Sequence, residues 1–177
     1  MARIIIIYGL IGGLIIIAGI IATIVIGGDR PHGSVWLGYL IMLLGMAAVF
    51  MGVKQHRDQA GGGVIRFFPA LGVGLAISLI ASLAYVLIWE AYLAATNYEF
   101  MAQYASATLE ARRAEGLSGE AYRQLETQMN QMIVQYRSPW FRMPLTFAEI
   151  FPVGLLVSIV SAALLRNSRF LPARTPA

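Results

Sequence analysis

Apolar residues in this chain do not alternate with polar ones at a strand or amphipathic-helix period; they come in long, uninterrupted blocks. The first block, about residues 4–26, carries no charge over roughly 23 residues, and at ~1.5 Å of rise per residue it crosses a ~30 Å hydrocarbon layer with a little tilt. Arg3 ahead of an apolar run also fits a signal peptide, but an h-region is usually about 7–15 residues long and no convincing small-residue cleavage site follows, so the block reads as a span. Gly27, Gly28, Asp29, Arg30, Pro31 and His32 form a polar turn. A second apolar block, about 34–53, opens with Trp36 and Tyr39 at interfacial positions, which makes the first two helices an antiparallel pair.

The polar, basic and glycine-rich stretch 54–63 reads as an interfacial loop, after which Pro69 suits the first turn of the next helix. A third span is expected over about 71–95 and a fourth over about 145–165, where Pro152 is expected to kink the helix or distort its first turn.

Between these two spans, about residues 97–138, the pattern changes. Charges return, and Gly116, Leu117, Ser118 and Gly119 divide two helical patterns, with Ser118 as a natural N-cap. In the second pattern Tyr122, Leu125, Met129, Met132 and Tyr136 fall three and four apart on one face, while Arg123, Glu126, Gln128 and Gln131 fall elsewhere. The first pattern, with Met101, Tyr104, Thr108 and Leu109, is weaker. The segment therefore reads as an extramembrane helical hairpin whose apolar face packs on its neighbour or the membrane surface, or grips a partner protein. The fold class is all-α: one polytopic membrane domain over residues 1–177, with four transmembrane helices and a polar hairpin between the third and fourth.

Composition agrees with lipid as solvent. The chain is 58% hydrophobic and 12% charged, against roughly 25% charged in an average soluble domain. Its net charge of +4 is spread over loops with no clustered basic, aromatic-interleaved patch, so nucleic acid is not an expected partner. The chain has no cysteine, which removes disulfides, thiolate catalysis and cysteine metal sites. His32 and His56 are predicted on opposite membrane faces and cannot share a metal, so no metal or cofactor is expected.

Charge asymmetry orients the bundle. With a cytoplasmic N terminus, the inner side holds Arg3, Lys54, Arg57, Arg66, Arg166, Arg169 and Arg174 against Asp58 alone, while the outer side is net acidic. Arg137 and Arg142 beside the fourth span oppose this assignment, but the balance favours both termini inside and the hairpin outside.

Small residues recur every four positions in the last two spans, as Gly74, Ser78 and Ser82 and as Gly154, Ser158 and Ala162. In lipid, helices associate by close packing and hydrogen bonds, so these ladders predict contact between the third and fourth spans. Gly9 and Gly13 form a GxxxG that fits an intramolecular contact, a homodimer or neither.

Candidate chemistry is sparse. Glu90 and Glu149 are the acids inside apolar runs, both near the outer boundary, where they would share a proton, bind a cation or headgroup, or else pair with Arg142 or Arg137. Lys54, Arg57 and Asp58 would bind phospholipid headgroups or a cytoplasmic partner, or simply satisfy topology. The glycines at 61–63 lack a GxxxxGK[ST] context and read as a flexible turn or a close helix approach. Trp89, Trp140 and Phe141 suit the interfacial aromatic belt.

The stretch Gly52 to Asp58 (GVKQHRD), then Gly62 to Phe67 (GGVIRF), resembles a bacterial membrane family catalogued as a domain of unknown function, number four-one-nine-nine. The run from Glu149 to Gly154 (EIFPVG), continued through Ala162 and Arg166, resembles that family's closing segment. His56 stands where a tyrosine is expected and Gln59 where a lysine is. The resemblance implies a small four-span protein of the bacterial inner membrane and supplies no catalytic residue. The expected function is a non-enzymatic scaffold or accessory subunit with membrane lipids, a membrane-protein partner or its own copies as partners. The alternatives are a small transporter, channel or lipid-handling protein using Glu90 and Glu149, and an intramembrane enzyme, whose site would lack a partnered His, Lys or metal.

Overall fold

The computed structural model describes residues 1–27 and 35–173. Most of the predicted first turn, including Asp29, Arg30, Pro31 and His32, lies outside the described residues, as does Arg174. Six helices follow in order: α1 (Ala2–Gly27), α2 (Val35–Ala60), α3 (Phe67–Ala95), α4 (Phe100–Ala114), α5 (Gly119–Tyr136) and α6 (Pro139–Leu165). Helices α1, α2, α3 and α6 are long and apolar enough to cross a membrane. Leu14, Leu44, Leu87 and Leu156, near the middles of these four, are each more than half exposed. Water would penalise such a surface and lipid does not, so the chain is a multi-pass membrane protein of all-α class.

Three boundaries differ from the expected ones. Helix α2 does not end at residue 53 but runs to Ala60, because 54–60 contains no helix breaker and Lys54 pairs with Asp58 one turn on. The expected interfacial loop is thus mostly helix, and the turn proper is confined to the glycines. Gly61 and Gly63 both donate backbone N–H groups to the Arg57 carbonyl, and Gly62 and Gly63 adopt φ of +56° and +87°, which a β-carbon would oppose. Helix α3 starts at Phe67 rather than at 71, with Pro69 in its first turn as expected, and α6 starts at Pro139 rather than at 145. Proline suits that first position because its missing N–H would be unbonded there anyway. Both Pro144 and Pro152 lie within the continuous α6 helix.

Helix α3 is the hub, packed lengthwise between α1 and α6, while α2 closes against α1, α6 and, more sparingly, α3. The GxxxG of α1 serves this internal contact. A β-carbon on Gly9 would fall 2.6 Å from Ile80, and one on Gly13 would fall 2.7 Å from the Ala81 carbonyl oxygen. Gly12 and Gly45 bring α1 and α2 equally close, since a β-carbon on either would sit 3.0 or 2.9 Å from the other's carbonyl.

The two small-residue ladders meet. Gly74 faces Ser158 and Gly154 faces Ser78, so each step of four up α3 is matched by a step of four down α6. The Ser78 hydroxyl bonds the Gly154 carbonyl (3.1 Å) and the Ser158 hydroxyl (3.0 Å), and Ser158 bonds Gly154 as well (2.7 Å). Ala70, Ser82 and Ala162 are also fully buried, and the Ser82 hydroxyl has no hydrogen-bond partner among the described residues.

Candidate functional site

Two clusters of polar side chains sit at the two ends of the bundle, each organised around a buried arginine. At the hairpin end, the α3–α6 ladder terminates in Glu90 and Arg142, three turns of helix beyond the Ser78–Gly154 rung. The guanidinium grips the carboxylate bidentately, Nε to Oε1 at 2.5 Å and Nη2 to Oε2 at 2.6 Å. Its remaining nitrogen, Nη1, donates to the carbonyls of Tyr136 (3.2 Å) and Arg137 (2.9 Å), which end α5. The Tyr98 ring lies 4.6 Å from the guanidinium carbon, so the cation is also held against an aromatic face. Arg142 is 4% exposed. One side chain therefore joins α3, the α3–α4 turn, the end of α5 and the start of α6.

That turn is built for the contact at some cost. Asn97 and Tyr98 hold φ of +53° and +58°, a left-handed conformation that costs roughly 1–2 kcal/mol for a residue with a side chain. The Tyr98 N–H bonds back to the Leu93 carbonyl at 2.8 Å, closing α3. Trp89 adds a second tie, donating its indole N–H to the Tyr136 hydroxyl at 2.9 Å. Burial raises the Tyr136 phenol above its usual range, and the Trp89 bond works against that rise. Tyr85, Trp89 and Tyr92 stack along α3, and Phe100 of α4 meets Trp89 edge-on at 4.9 Å. Trp89 thus belongs to the seat of the hairpin rather than to the interfacial belt, since it is 5% exposed; Trp140, at 90%, has the exposure a belt residue needs.

Glu149, the other candidate acid, stands apart from this cluster. It lies seven residues beyond Arg142 on the exposed face of α6, about 10 Å of helical rise toward the bundle middle. It makes no hydrogen bond or ion pair with the described residues, although Tyr85 and Tyr136 lie within its electrostatic reach. Glu90 and Glu149 therefore do not act as a pair: the first is occupied by Arg142, and the second faces outward alone.

At the opposite end, Arg57 is fully buried. Its Nε donates to Asp58 at 2.8 Å, and Asp58 also accepts from Lys54 at 2.5 Å. Its Nη1 and Nη2 donate to the carbonyls of Phe170 (2.9 Å) and Leu171 (2.5 Å). Phe170 sits edge-on to Phe50 of α2, and Leu171 takes φ of +47°. The expected headgroup cluster of Lys54, Arg57 and Asp58 is therefore a clamp whose cation is spent on this chain's own segment after α6. No sequence signal marked that segment as a partner, because backbone carbonyls carry no side-chain pattern.

The hairpin stripe is half-buried at Tyr122, Leu125, Met129, Met132 and Tyr136, and the neighbours of α5 are α4 and α6. It therefore lies at the seam of the hairpin with α4, whose own buried residues are Met101 and Ala105, and Tyr136 packs against the main core. Ser118 stands at the N-cap of α5 with extended backbone, but its hydroxyl makes no capping hydrogen bond among the described residues. The opposite face of α5 is exposed at Thr127, Asn130, Gln131, Val134 and Gln135. Among the described residues, no group of three or more His, Asp or Glu side chains is gathered as a metal site would require.

A family model described as a protein of unknown function, DUF4199, matches residues 7–167. No curated protein and no solved structure matches the chain.

Proposed function

Since the chain belongs to this DUF4199 family of proteins of unknown function, we propose that it works as a non-enzymatic scaffold or accessory subunit of the bacterial inner membrane, with both termini cytoplasmic and the α4–α5 hairpin as its contact element outside. The observation that carries this reading is the immobilisation of the hairpin. Arg142, Glu90, Tyr98 and the Trp89–Tyr136 bond fix both of its ends to the transmembrane bundle. A polar appendage tied down at such cost in strain and charge burial is a presented surface, since a mere connection between α3 and α6 needs neither. The inner clamp at Arg57 supports the same reading, because it fixes the C-terminal segment by direct bonds to the main chain.

The test is to purify the tagged protein in lipid nanodiscs and identify by mass spectrometry what accompanies it. A reproducible protein that is lost when the hairpin is replaced by a short linker supports a scaffold, provided that the variant keeps the helical content expected of four spans. Absence of any protein, with one lipid or small molecule enriched instead, sinks it. One observation favours a second reading, a small transporter, channel or lipid-handling protein: Glu149 is an unpaired acid on the exposed face of a span, which is costly unless something meets it. Enrichment that Glu149→Gln abolishes would put that reading first.

A further inference from the structure

Of the acids in the spanning helices, Asp58 answers Lys54 and Arg57, and Glu90 answers Arg142, which leaves Glu149 without a counter-ion among the described residues. Its place along α6 sets what can reach it. About 20 apolar residues cross the hydrocarbon layer, and counted back from Leu165 they reach about residue 146, so Glu149 is rooted about 5 Å inside the boundary at the hairpin end. Side chains of a helix lean toward its N-terminus, which is that same end, so the carboxylate returns to the level where hydrocarbon gives way to the polar part of the lipids. Two further features surround it. Tyr85 of α3 is 4% exposed and its hydroxyl bonds none of the described residues, and Glu149 is near enough to act electrostatically on it and on Tyr136. Farther along the same side of α6 come Pro152, Leu156 and Val160, three and four residues apart and all exposed, Leu156 at 58% and Val160 at 48%. A carboxylate beside a spare phenol thus heads an open apolar track of about 16 Å.

We infer that this is a binding site for an amphiphilic amine, an ammonium group carried directly on an apolar chain and taken up from the lipid. The ammonium needs a counter-charge and acceptors for its N–H groups, which the Glu149 carboxylate and the Tyr85 hydroxyl oxygen supply. The chain needs an apolar surface in line with that head, which Pro152, Leu156 and Val160 supply. A divalent metal ion fits this site less well, because it takes several oxygen ligands, and no group of three or more His, Asp or Glu side chains gathers among the described residues. A zwitterionic phospholipid also fits less well. Its phosphate is tethered two carbons from the ammonium and would be drawn down against the Glu149 carboxylate, like charge against like. The proposal rests on the second reading above, a protein that handles a lipid or small molecule through Glu149, and names the ligand; it is independent of the scaffold reading.

The test uses the full chain in phosphatidylcholine nanodiscs and a dodecyl chain that carries a photoreactive diazirine near its tail and a primary amine at its head. A comparison probe has a hydroxyl in place of the amine. After illumination, mass spectrometry of the digest locates the label. Labelling of α2 at its exposed Leu40, Leu43 and Leu44 measures how much probe the bilayer holds, and every signal is divided by it. The expected result is labelling of the stretch from Pro152 to Val160 about tenfold stronger with the amine than with the alcohol, the size of a charge-assisted contact. Glu149→Gln should bring the amine down to the level of the alcohol, and Tyr85→Phe should remove part of the preference. Glu126→Gln, which changes an exposed carboxylate of α5, should leave it intact, and circular dichroism should show the same helical content throughout. Equal labelling by amine and alcohol in the parent chain, or a preference that survives Glu149→Gln, overturns the amine site. A preference untouched by Tyr85→Phe overturns the built site and leaves a bare surface charge. The second reading fails separately, when Glu149→Gln changes nothing in the lipids and small molecules that purify with the chain; a different ligand lost in that variant sinks the amine and keeps that reading.

Discussion

Replacing Glu90 by glutamine keeps the shape of the hairpin seat and removes its charge. Arg142 would then stand 4% exposed with two backbone carbonyls and one aromatic face, but no counter-ion. Losing one partner of a fully buried pair costs about 3–5 kcal/mol; the Glu90 side chain is 19% exposed and near the water boundary, which lowers the expected loss to roughly 2–3 kcal/mol. Removing both charges, as in Glu90→Leu with Arg142→Leu, should be milder than the two single effects added, because no orphan charge remains. The Tyr136 and Arg137 carbonyls would still lose their donor, so the double variant should not regain full stability. Thermal unfolding in nanodiscs measures the global loss. Limited trypsin digestion at Arg112, Arg113 and Arg123 reports hairpin undocking directly, and Glu90→Gln should be cut faster at all three. Unchanged melting and digestion in Glu90→Gln, or strictly additive losses in the double variant, would refute the idea that this pair holds the hairpin.

Gly154→Val places a β-carbon 2.7 Å from that of Ser78, so it should separate α3 from α6 and cost about 1–3 kcal/mol or more, visible as a lower melting temperature in lipid. A Gly38→Ala control, where nothing among the described residues lies within 4 Å, should melt like the parent; equal losses would remove close packing as the cause. Arg57→Gln removes the ionic clamp on Phe170 and Leu171 and should make trypsin cut faster at Arg166 and Arg169, whereas Arg3→Gln should not; equal rates would mean that Phe50 alone holds the segment. Glu149→Leu removes an unpaired acid from an exposed span surface and should leave stability unchanged or raised in lipid. A clear loss would show that the carboxylate has a structural partner.

The four spans and the hairpin were legible because each rests on a pattern repeated over many residues. The ladders of α3 and α6 were legible for the same reason: small residues four apart on two helices have one obvious use in lipid. What escaped was set by single, non-periodic contacts. Lys54 to Ala60 reads as a polar loop because polarity follows an apolar run, yet nothing in it breaks a helix before Gly61. Glu90 and Glu149 looked equivalent as acids near the same boundary, and only three-dimensional register assigns the first to Arg142 and leaves the second outside. Trp89 carries the composition signal of an interfacial residue, and its burial depends on a hairpin folding over it. Backbone carbonyls as partners of Arg57 have no signature in sequence at all.

A ladder of small residues at a four-residue repeat is easy to slide, because it matches itself again after one turn. Moving α6 past α3 by about 6 Å would set Ser82 opposite Gly154 and Ser78 opposite Ser158, with Gly74 opposite Ala162. Every rung would remain small on small, and the Ser82 hydroxyl that now lacks a partner would face a carbonyl. The zip itself is therefore degenerate, and the address is written at its end: the same slide would carry Arg142 past Glu90 to Ala94 and leave both charges stranded. The ion pair is the notch that picks one alignment from a repeating scale, so exchanging Glu90 and Arg142 for two well-packed leucines should yield a bundle that still folds but no longer keeps a single register.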